Sequence, residues 1–261
     1  MATEEKLRLG GMALTNGVLV HGPTAWACAI RTEGGEVKVA AAKKRFRSSS
    51  LESPLVRGPA KLLESIAVLP ELRRALPEAK LPFQRPGVVA AMLASATVVK
   101  VARDSGRLGP AAQELVAGLL SVAPAALALR SSELAAYHGA EHISIGSYEH
   151  GEKRAKEHER CGSHLLGPLL ATTAVANTLA ARAPAHLRTP ARLAAQLGAV
   201  AASTEIFGWM VRNPDRKLAR ALAKPGHELQ HRLATADPTA DQVEVAEAAL
   251  AGCLELERVD G

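Results

Sequence analysis

The sequence predicts a mainly α-helical protein, a helical bundle with a small β hairpin or sheet at its N-terminus. Hydrophobic residues make up 48% of the 261 residues but aromatic residues only 3%, so the core must be built from Ala, Leu and Val, which suits closely packed helices. The apolar residues also change their spacing along the chain. Before residue 47 they form short runs, and from Pro54 onward they recur at helical intervals.

Residues 1–47 are predicted to form the β-containing segment. Its apolar runs are Val18–Val20, Ala25–Ile30 and Glu36–Ala40, and Thr32–Gly35 between the last two is typical of a hairpin turn. Four basic residues close the segment: Lys43, Lys44, Arg45 and Arg47. Such a run usually forms a solvated edge, with an anion-binding or membrane-surface role as the alternative.

Residues 48–261 are predicted to form a helical domain that joins the first segment in one compact unit. Its first helix carries Glu64 beside an apolar stripe, where a surface salt bridge is favoured over a place in a substrate site. Its last helix is predicted to begin after Asp237-Pro238-Thr239 and to dock through its own apolar stripe.

Four apolar segments raise the question of membrane insertion: Val88–Val99, Ala111–Leu129, Leu165–Ala181 and Leu193–Val211. Spanning a bilayer needs about 20 predominantly apolar residues. Charged or polar residues end or interrupt three of them: Lys100, Gln113, Glu114, Gln196 and Glu205. Since Ala dominates and the mean hydropathy is only +0.03, a soluble cytoplasmic bundle is predicted, with an integral membrane protein as the alternative.

Reactive side chains concentrate in one stretch, residues 137–164. Five of the nine histidines lie there: His138, His142, His150, His158 and His164. His138, Glu141 and His142 form an H-x-x-E-H pattern, and residues three and four apart share one face of a helix. Two neutral imidazoles at this spacing can bind zinc, while the carboxylate beside them can act as a general base toward a metal-activated water.

A third protein ligand is then needed. Glu149 returns to the same helix face, but at roughly 1.5 Å per residue it lies about 10 Å beyond His142, so it reaches the ion only if the helix breaks at Gly146. His158 and Cys161, which follow a charged loop, are preferred as ligands, and Glu149 is the reserve. Mixed imidazole and thiolate ligands favour zinc over other divalent metals.

The cysteine precedes another predicted helix. Ser163 is a candidate cap for that helix, and the positive helix end would favour a thiolate at Cys161. His150 is expected to lie in the solvated charged connection rather than at the metal.

The same residues resemble a known family. The strings Tyr137–His142, Tyr148-Glu149 and His158-x-Arg160-Cys161-Gly162 resemble the signature of the YqhQ family, uncharacterised bacterial proteins described as predicted metal-dependent enzymes. The similarity extends over nearly the whole chain, including Gly10–Ala13 and Pro54–Ser65. The resemblance implies a metal-dependent enzyme, and relatives in this family are usually predicted to be integral membrane proteins.

Four positions depart from the family pattern. Asn16 replaces the usual Glu, His21 replaces Arg, and Glu159 and His164 replace Pro and Phe around the cysteine. The central motif is intact while residues around it differ. The resemblance therefore implies an intact metal site whose substrate need not be that of its relatives.

These residues predict a metal-dependent enzyme whose expected reaction is a hydrolysis, with Glu141 as general base. Arg160 is placed to meet negative charge on the substrate or the transition state. Three further residues are predicted at the substrate site: Glu64, His164 and Glu205. For Glu205, a buried salt bridge is the alternative. A basic chain with few aromatic residues fits a small polar or anionic substrate. The alternative is a structural or regulatory metal-binding protein, which would be soluble or membrane-associated.

Composition excludes several other classes. The net charge of +6 is spread along the chain without a nucleic-acid-binding module, so nucleic acid is not a predicted partner. Three widely spaced cysteines favour a reducing compartment over a disulfide framework. The charged first residues and the short apolar run after them do not predict a secretory signal. No nucleotide cofactor is expected, because neither a P-loop nor a dinucleotide fingerprint is present.

Overall fold

The computed structural model describes residues 6–46, 51, 53–105, 108–129 and 132–258. In these ranges, four strands precede nine α-helices, which confirms the predicted mainly α-helical fold with a small N-terminal sheet. The strands are β1 (Gly10–Leu14), β2 (Gly17–His21), β3 (Ala25–Arg31) and β4 (Val37–Lys43). The helices are α1 (Pro54–Ala67), α2 (Leu69–Ala75), α3 (Pro86–Asp104), α4 (Pro110–Leu129), α5 (Ser132–His150), α6 (Leu166–Ala180), α7 (Arg188–Arg212), α8 (Lys217–Leu229) and α9 (Ala240–Arg258).

The strands form one antiparallel sheet in the order β1-β2-β3-β4. The predicted turn between β3 and β4 is confirmed: Gly35 has a φ of +84° and its amide donates to the carbonyl of Thr32 at 3.0 Å. That left-handed conformation favours glycine. The first strand, β1, was not among the predicted apolar runs because its Gly10-Gly11 pair dilutes the strand signal.

Both faces of the sheet are buried. On one face Val18, Val20 and Ala27 pack with residues of α5 and α9. On the other face Leu19 and Trp26 pack with residues of α2. Side chains alternate between the faces of a strand, so burial on both sides explains why β2 and β3 are almost continuously apolar.

The last helix is fixed to the sheet by a buried carboxylate. Glu257, near the end of α9, accepts hydrogen bonds from the backbone amides of Thr24 and Ala25, both at 2.7 Å. The Thr24 hydroxyl donates to the same carboxylate at 2.9 Å. The turn between β2 and β3 thus depends on residues more than 200 positions later in the chain, and α9 docks on the sheet.

The four apolar segments form α3, α4, α6 and α7, which pack as the pairs α3 with α4 and α6 with α7. Within the described ranges, α3 alone is long and apolar enough to cross a membrane: its 18-residue window has a mean hydropathy of 1.3 and is only 6% buried. One helix of this kind is weak evidence for membrane insertion.

Part of the basic run differs from the prediction. Lys44 is buried, whereas Arg45 is solvent-exposed and pairs with Glu71 at 3.1 Å. The solvated-edge interpretation is therefore wrong for Lys44, which lies inside the sheet–helix contact. Arg47 lies outside the described residues.

Two glycines in helices provide a matched test of close packing. A Cβ on Gly139 in α5 would collide with the backbone carbonyl oxygen of Ala236, whereas a Cβ on Gly198 in α7 would meet no atom within 4 Å. We expect Gly139→Ala to lower the free energy of unfolding by about 1–3 kcal/mol through overpacking. Gly198→Ala should raise it by up to about 1 kcal/mol through helix propensity.

Urea unfolding followed by circular dichroism measures both variants. Equal effects of the two substitutions would contradict the close approach of α5 to Ala236.

Candidate metal centre

Helix α5 carries the H-x-x-E-H motif on a buried stretch of the chain. The helix runs without a break from Ser132 to His150, so Gly146 does not interrupt it. Glu141 and His142 are buried, and His138 is partly buried. The predicted sharing of one helix face is confirmed by the rings of His138 and His142, whose centroids are 4.3 Å apart.

Each of these imidazoles is oriented by a backbone carbonyl. The Nδ1 atom of His138 lies 2.8 Å from the carbonyl oxygen of Ala234, and Nδ1 of His142 lies 2.6 Å from that of Lys156. A carbonyl only accepts, so each Nδ1 carries the proton and each Nε2 presents a lone pair. Nε2 of His142 is buried and has no hydrogen-bond partner. A buried, oriented lone pair of this kind fits a metal ion.

Cys161 supplies the third candidate ligand. Its Sγ lies 3.5 Å from Nε2 of His138, and the ligand atoms of His138, His142 and Cys161 all lie within 4.8 Å of one another. Burial raises the pKa of the Cys161 thiol, while hydrogen bonds involving Ser163 act in the opposite direction. The predicted thiolate is thus not favoured by the protein alone, and deprotonation would accompany metal binding.

The segment after Cys161 begins differently from the prediction. A 3₁₀ turn, Gly162–Leu165, precedes α6, and neither element has a side-chain cap. The Ser163 hydroxyl instead accepts a hydrogen bond from the side-chain amide of Gln230 at 2.6 Å. Ser163 therefore ties Cys161 to a distant segment rather than capping a helix.

Glu141 lies beside the three ligands in a buried position. Burial raises the pKa of this carboxyl to about 7, an effect that the nearby His138 opposes. Space for the carboxylate comes from β1, because any side chain on Gly11 would collide with the Glu141 carboxylate. A carboxyl whose pKa is close to 7 can both accept and release a proton near neutral pH.

His158 and Glu149 lie outside this group and contact each other. Nε2 of His158 is 3.3 Å from Oε2 of Glu149, and its Nδ1 accepts from the backbone amide of Arg160 at 3.3 Å. Glu149 also forms an ion pair with Arg160. Both nitrogens of His158 are thus engaged, and the structure groups Cys161, not Glu149 or His158, with the two motif histidines.

A π-helical turn, Gln230–Ala234, holds the site together, and sequence reasoning did not assign it a role. The fully buried Gln230 accepts from the backbone amide of His158 at 2.9 Å and donates to its carbonyl at 3.2 Å. At the other end of the turn, Ala234 provides the carbonyl that orients His138. A polar residue between Leu and His carries no local signal for such long-range contacts.

The three predicted substrate residues, Glu64, Glu205 and His164, each contact another part of the chain. Glu64 is buried in an ion pair with Lys44 at 2.6 Å, and Glu205 accepts from Nε of Arg57 at 2.7 Å. Hydrogen bonding to Arg57 lowers the pKa of Glu205. The buried His164 has its Nδ1 3.2 Å from the carbonyl of Ala223.

Two cavities lie beside the predicted site residues, and they are lined by different sets of them. The larger, of about 1480 Å³, is lined by His138, Glu141, His142, Cys161 and Arg160, among others. Arg160 also borders a second cavity of about 840 Å³, which is lined by Glu149 and His164. His164 thus lines the second cavity and not the larger one.

A second polar cluster, also missed at the sequence level, reaches the larger cavity from the opposite face of β1. Nδ1 of His21 lies 3.1 Å from Nζ of Lys44, and its Nε2 lies 3.3 Å from Oγ of Ser65. His21 and Ser65 both line the cavity. Burial lowers the pKa of His21 to about 4, and the neighbouring Lys44 acts in the same direction.

Two imidazoles and one thiol, with a buried carboxylate beside them, make up a donor set that could hold a metal ion. Residues 130–256 match the model of a family described as a protein of unknown function (DUF1385). The matched segment contains the whole metal group together with Gln230, but not the N-terminal sheet. No curated protein and no solved structure matches the chain.

The pKa of His21 predicts a pH dependence of stability. Since the folded-state pKa is about 4 and the unfolded value is 6.5, the unfolded chain binds the proton more readily between these pH values. The contribution of the neutral His21 to the free energy of unfolding is therefore fully present above about pH 6.5 and is lost as the pH falls toward 4. Between pH 7 and pH 5, we expect the free energy of unfolding to fall by about 2 kcal/mol less in His21→Gln than in the wild type.

Urea unfolding at both pH values, with a chelator present to exclude metal linkage, measures this difference. His150→Gln, which replaces an exposed histidine, is the control and should behave as the wild type does. An equal loss of stability in His21→Gln and the wild type would contradict the prediction.

Proposed function

We propose that the protein is a zinc-dependent hydrolase in which His138, His142 and Cys161 hold the ion and Glu141 is the general base. The observation that supports this most is the convergence of two Nε2 lone pairs and one sulfur beside a buried carboxylate. Zinc prefers imidazole and thiolate ligands, whereas magnesium and calcium prefer oxygen. When bound, zinc supplies Lewis acidity and lowers the pKa of a coordinated water toward about 7.

The residues around the ion have distinct roles in this proposal. Glu141 takes a proton from the attacking water and delivers it to the leaving group, which a pKa near 7 permits in both directions. Arg160 lines the same cavity and is held by Glu149, so it presents positive charge to an anionic substrate group. His158 positions Glu149 and is not itself a ligand.

A structural or regulatory metal site is the competing proposal. Structural zinc sites are closed by four protein ligands, whereas catalytic sites use three and leave one position open. In the part of the chain that the structure describes, the ligand group has three members. That number, and the large cavity in front of the group, favour catalysis.

We further propose that the chain is a diverged member of the YqhQ family and acts in the cytoplasm on a small-molecule substrate. The match of residues 130–256 to a family of unknown function is consistent with that membership. The intact motif on α5 supports a shared metal site. The differences at His21 and His164 support a different substrate.

The ligand assignment predicts the metal content of purified variants. Wild-type protein should contain about one zinc per chain, and His138→Ala combined with His142→Ala should contain almost none, since too few ligands remain. Cys161→Ser should bind zinc about 10- to 100-fold more weakly, since an oxygen replaces the soft sulfur. Elemental analysis and competition with a colorimetric chelator measure these values.

His158→Gln and His150→Ala are the controls, because the former lies beside the ligand group and the latter is exposed. Both should retain zinc. If His158→Gln removes the metal as completely as the double variant does, the ligand assignment is wrong.

The proposed base is tested by Glu141→Gln, which keeps the shape of the side chain but cannot accept a proton. We expect this variant to retain zinc and to lose about 10²- to 10⁴-fold in kcat. Hydrolysis is measured on a panel of nitrophenyl carboxylic and phosphoric esters. If zinc removal unfolds the protein and neither the wild type nor Glu141→Gln hydrolyses any ester of the panel, the structural alternative replaces the enzyme.

A further inference from the structure

We infer that the ligand of the larger cavity is an anionic amphiphile, whose aliphatic chain lies along an apolar wall and whose charged group faces the metal group. This inference rests on the proposed function for the placement of the charged group only. Binding of the aliphatic chain is independent of the metal.

The size of the cavity is the first argument. Its volume of about 1480 Å³ exceeds the roughly 300–1,000 Å³ typical of small-molecule sites. A small polar compound at the metal group would leave most of this space without contacts. A ligand that uses the whole cavity must therefore extend far beyond its reacting group.

The lining of the cavity combines polar and aliphatic side chains. Polar side chains from β2, α1 and α5 include His21, Ser65 and Glu141, and those from α3 and α7 include Arg103 and Arg192. Most of the aliphatic side chains come from α3, α4, α6 and α7: Met92, Val99, Leu120, Leu166, Leu170 and Leu193. They form the apolar part of the wall, which offers flexible contacts for a methylene chain.

The charged side chains that line the cavity determine which charge is favoured on the polar group of the ligand. The cationic residues in the lining are Lys61, Arg103, Arg160 and Arg192, of which Arg160 is paired with Glu149 outside the lining. Among the described residues that line the cavity, Glu141 is the single carboxylate. A ligand with a negative group is therefore favoured over a cationic one.

Helix α7 offers a matched pair of residues for a test. Leu193 and Leu197 lie one helical turn apart and are exposed to 65% and 63%. Leu193 lines the cavity and Leu197 does not. Substitution by Gln at each position removes a similar apolar surface, so a difference in binding reports on the cavity alone.

The experiment uses the full-length protein and the fluorescence of cis-parinaric acid, an anionic polyene chain. Competition with octanoate, decanoate and dodecanoate should show affinity rising about two- to fourfold per methylene. Leu193→Gln should weaken probe binding at least fivefold, while Leu197→Gln leaves it unchanged. Dodecyltrimethylammonium, with the same chain and the opposite charge, should compete at least tenfold less well than dodecanoate.

Several results would overturn the inference. They are an affinity that does not depend on chain length, equal effects of Leu193→Gln and Leu197→Gln, and equal competition by the cationic detergent. A second pair guards against misfolding of the first. Met92→Gln, at the cavity wall, should weaken binding, and Leu93→Gln beside it on α3 should not.

Two further arms separate this inference from the proposed function and identify the source of the ligand. Probe binding by the zinc-free His138→Ala, His142→Ala protein supports the amphiphile even if zinc is never found. Loss of zinc binding in this variant concerns only the enzyme proposal.

A source in solution predicts probe uptake that is independent of vesicles. Uptake from phosphatidylglycerol vesicles at a rate set by vesicle concentration indicates a bilayer source, and either result supports the cavity.

Discussion

The candidate site depends on the close approach of α5 to the backbone of residues 234–236. Gly139 permits this approach, and Ala236 donates its amide to the carbonyl of Ala135 at 2.9 Å. The carbonyl of Ala234 is thereby brought within hydrogen-bonding distance of His138. A backbone carbonyl is a rigid acceptor, so it fixes the tautomer of the ring without a second titratable group. The orientation of the first ligand thus follows from helix packing.

The position of Cys161 depends on a different kind of contact. Gln230 has no solvent exposure, and its amide spans two points of the loop before α6. A buried amide is stable only when its donors and acceptors are paired, so any displacement of the loop leaves polar groups unpaired at a cost of about 1–3 kcal/mol. The loop is therefore held in place without a disulfide or a long apolar segment. Gln230 and Ala234, at the two ends of one π-helical turn, thus position two of the three ligands, Cys161 and His138.

The sequence was sufficient for some of these features and not for others. Helical periodicity predicted α1 and α9, and the H-x-x-E-H spacing predicted that His138 and His142 would share a face, because both signals are local. The choice among the later candidate ligands depends on how the chain returns after α5, and no local pattern fixes that path. Gln230 and Lys44 have roles that come from partners far along the chain. A buried lysine in a basic run looks the same as its exposed neighbours until the fold is known.

The glycine pair of β1 has a consequence for how the molecule can vary. Adjacent residues of a strand point to opposite faces, so Gly10 makes room for His21 and Gly11 makes room for Glu141. A slip of β1 by one residue would place Met12 against one of these groups, since every side chain would change faces. The edge strand β1 thus lies between two polar clusters, one on each of its faces. A larger side chain in either cluster would displace the strand and so affect the other cluster. Substitutions at His21 and around Glu141 should consequently be constrained together, although the two residues lie 120 positions apart in the chain.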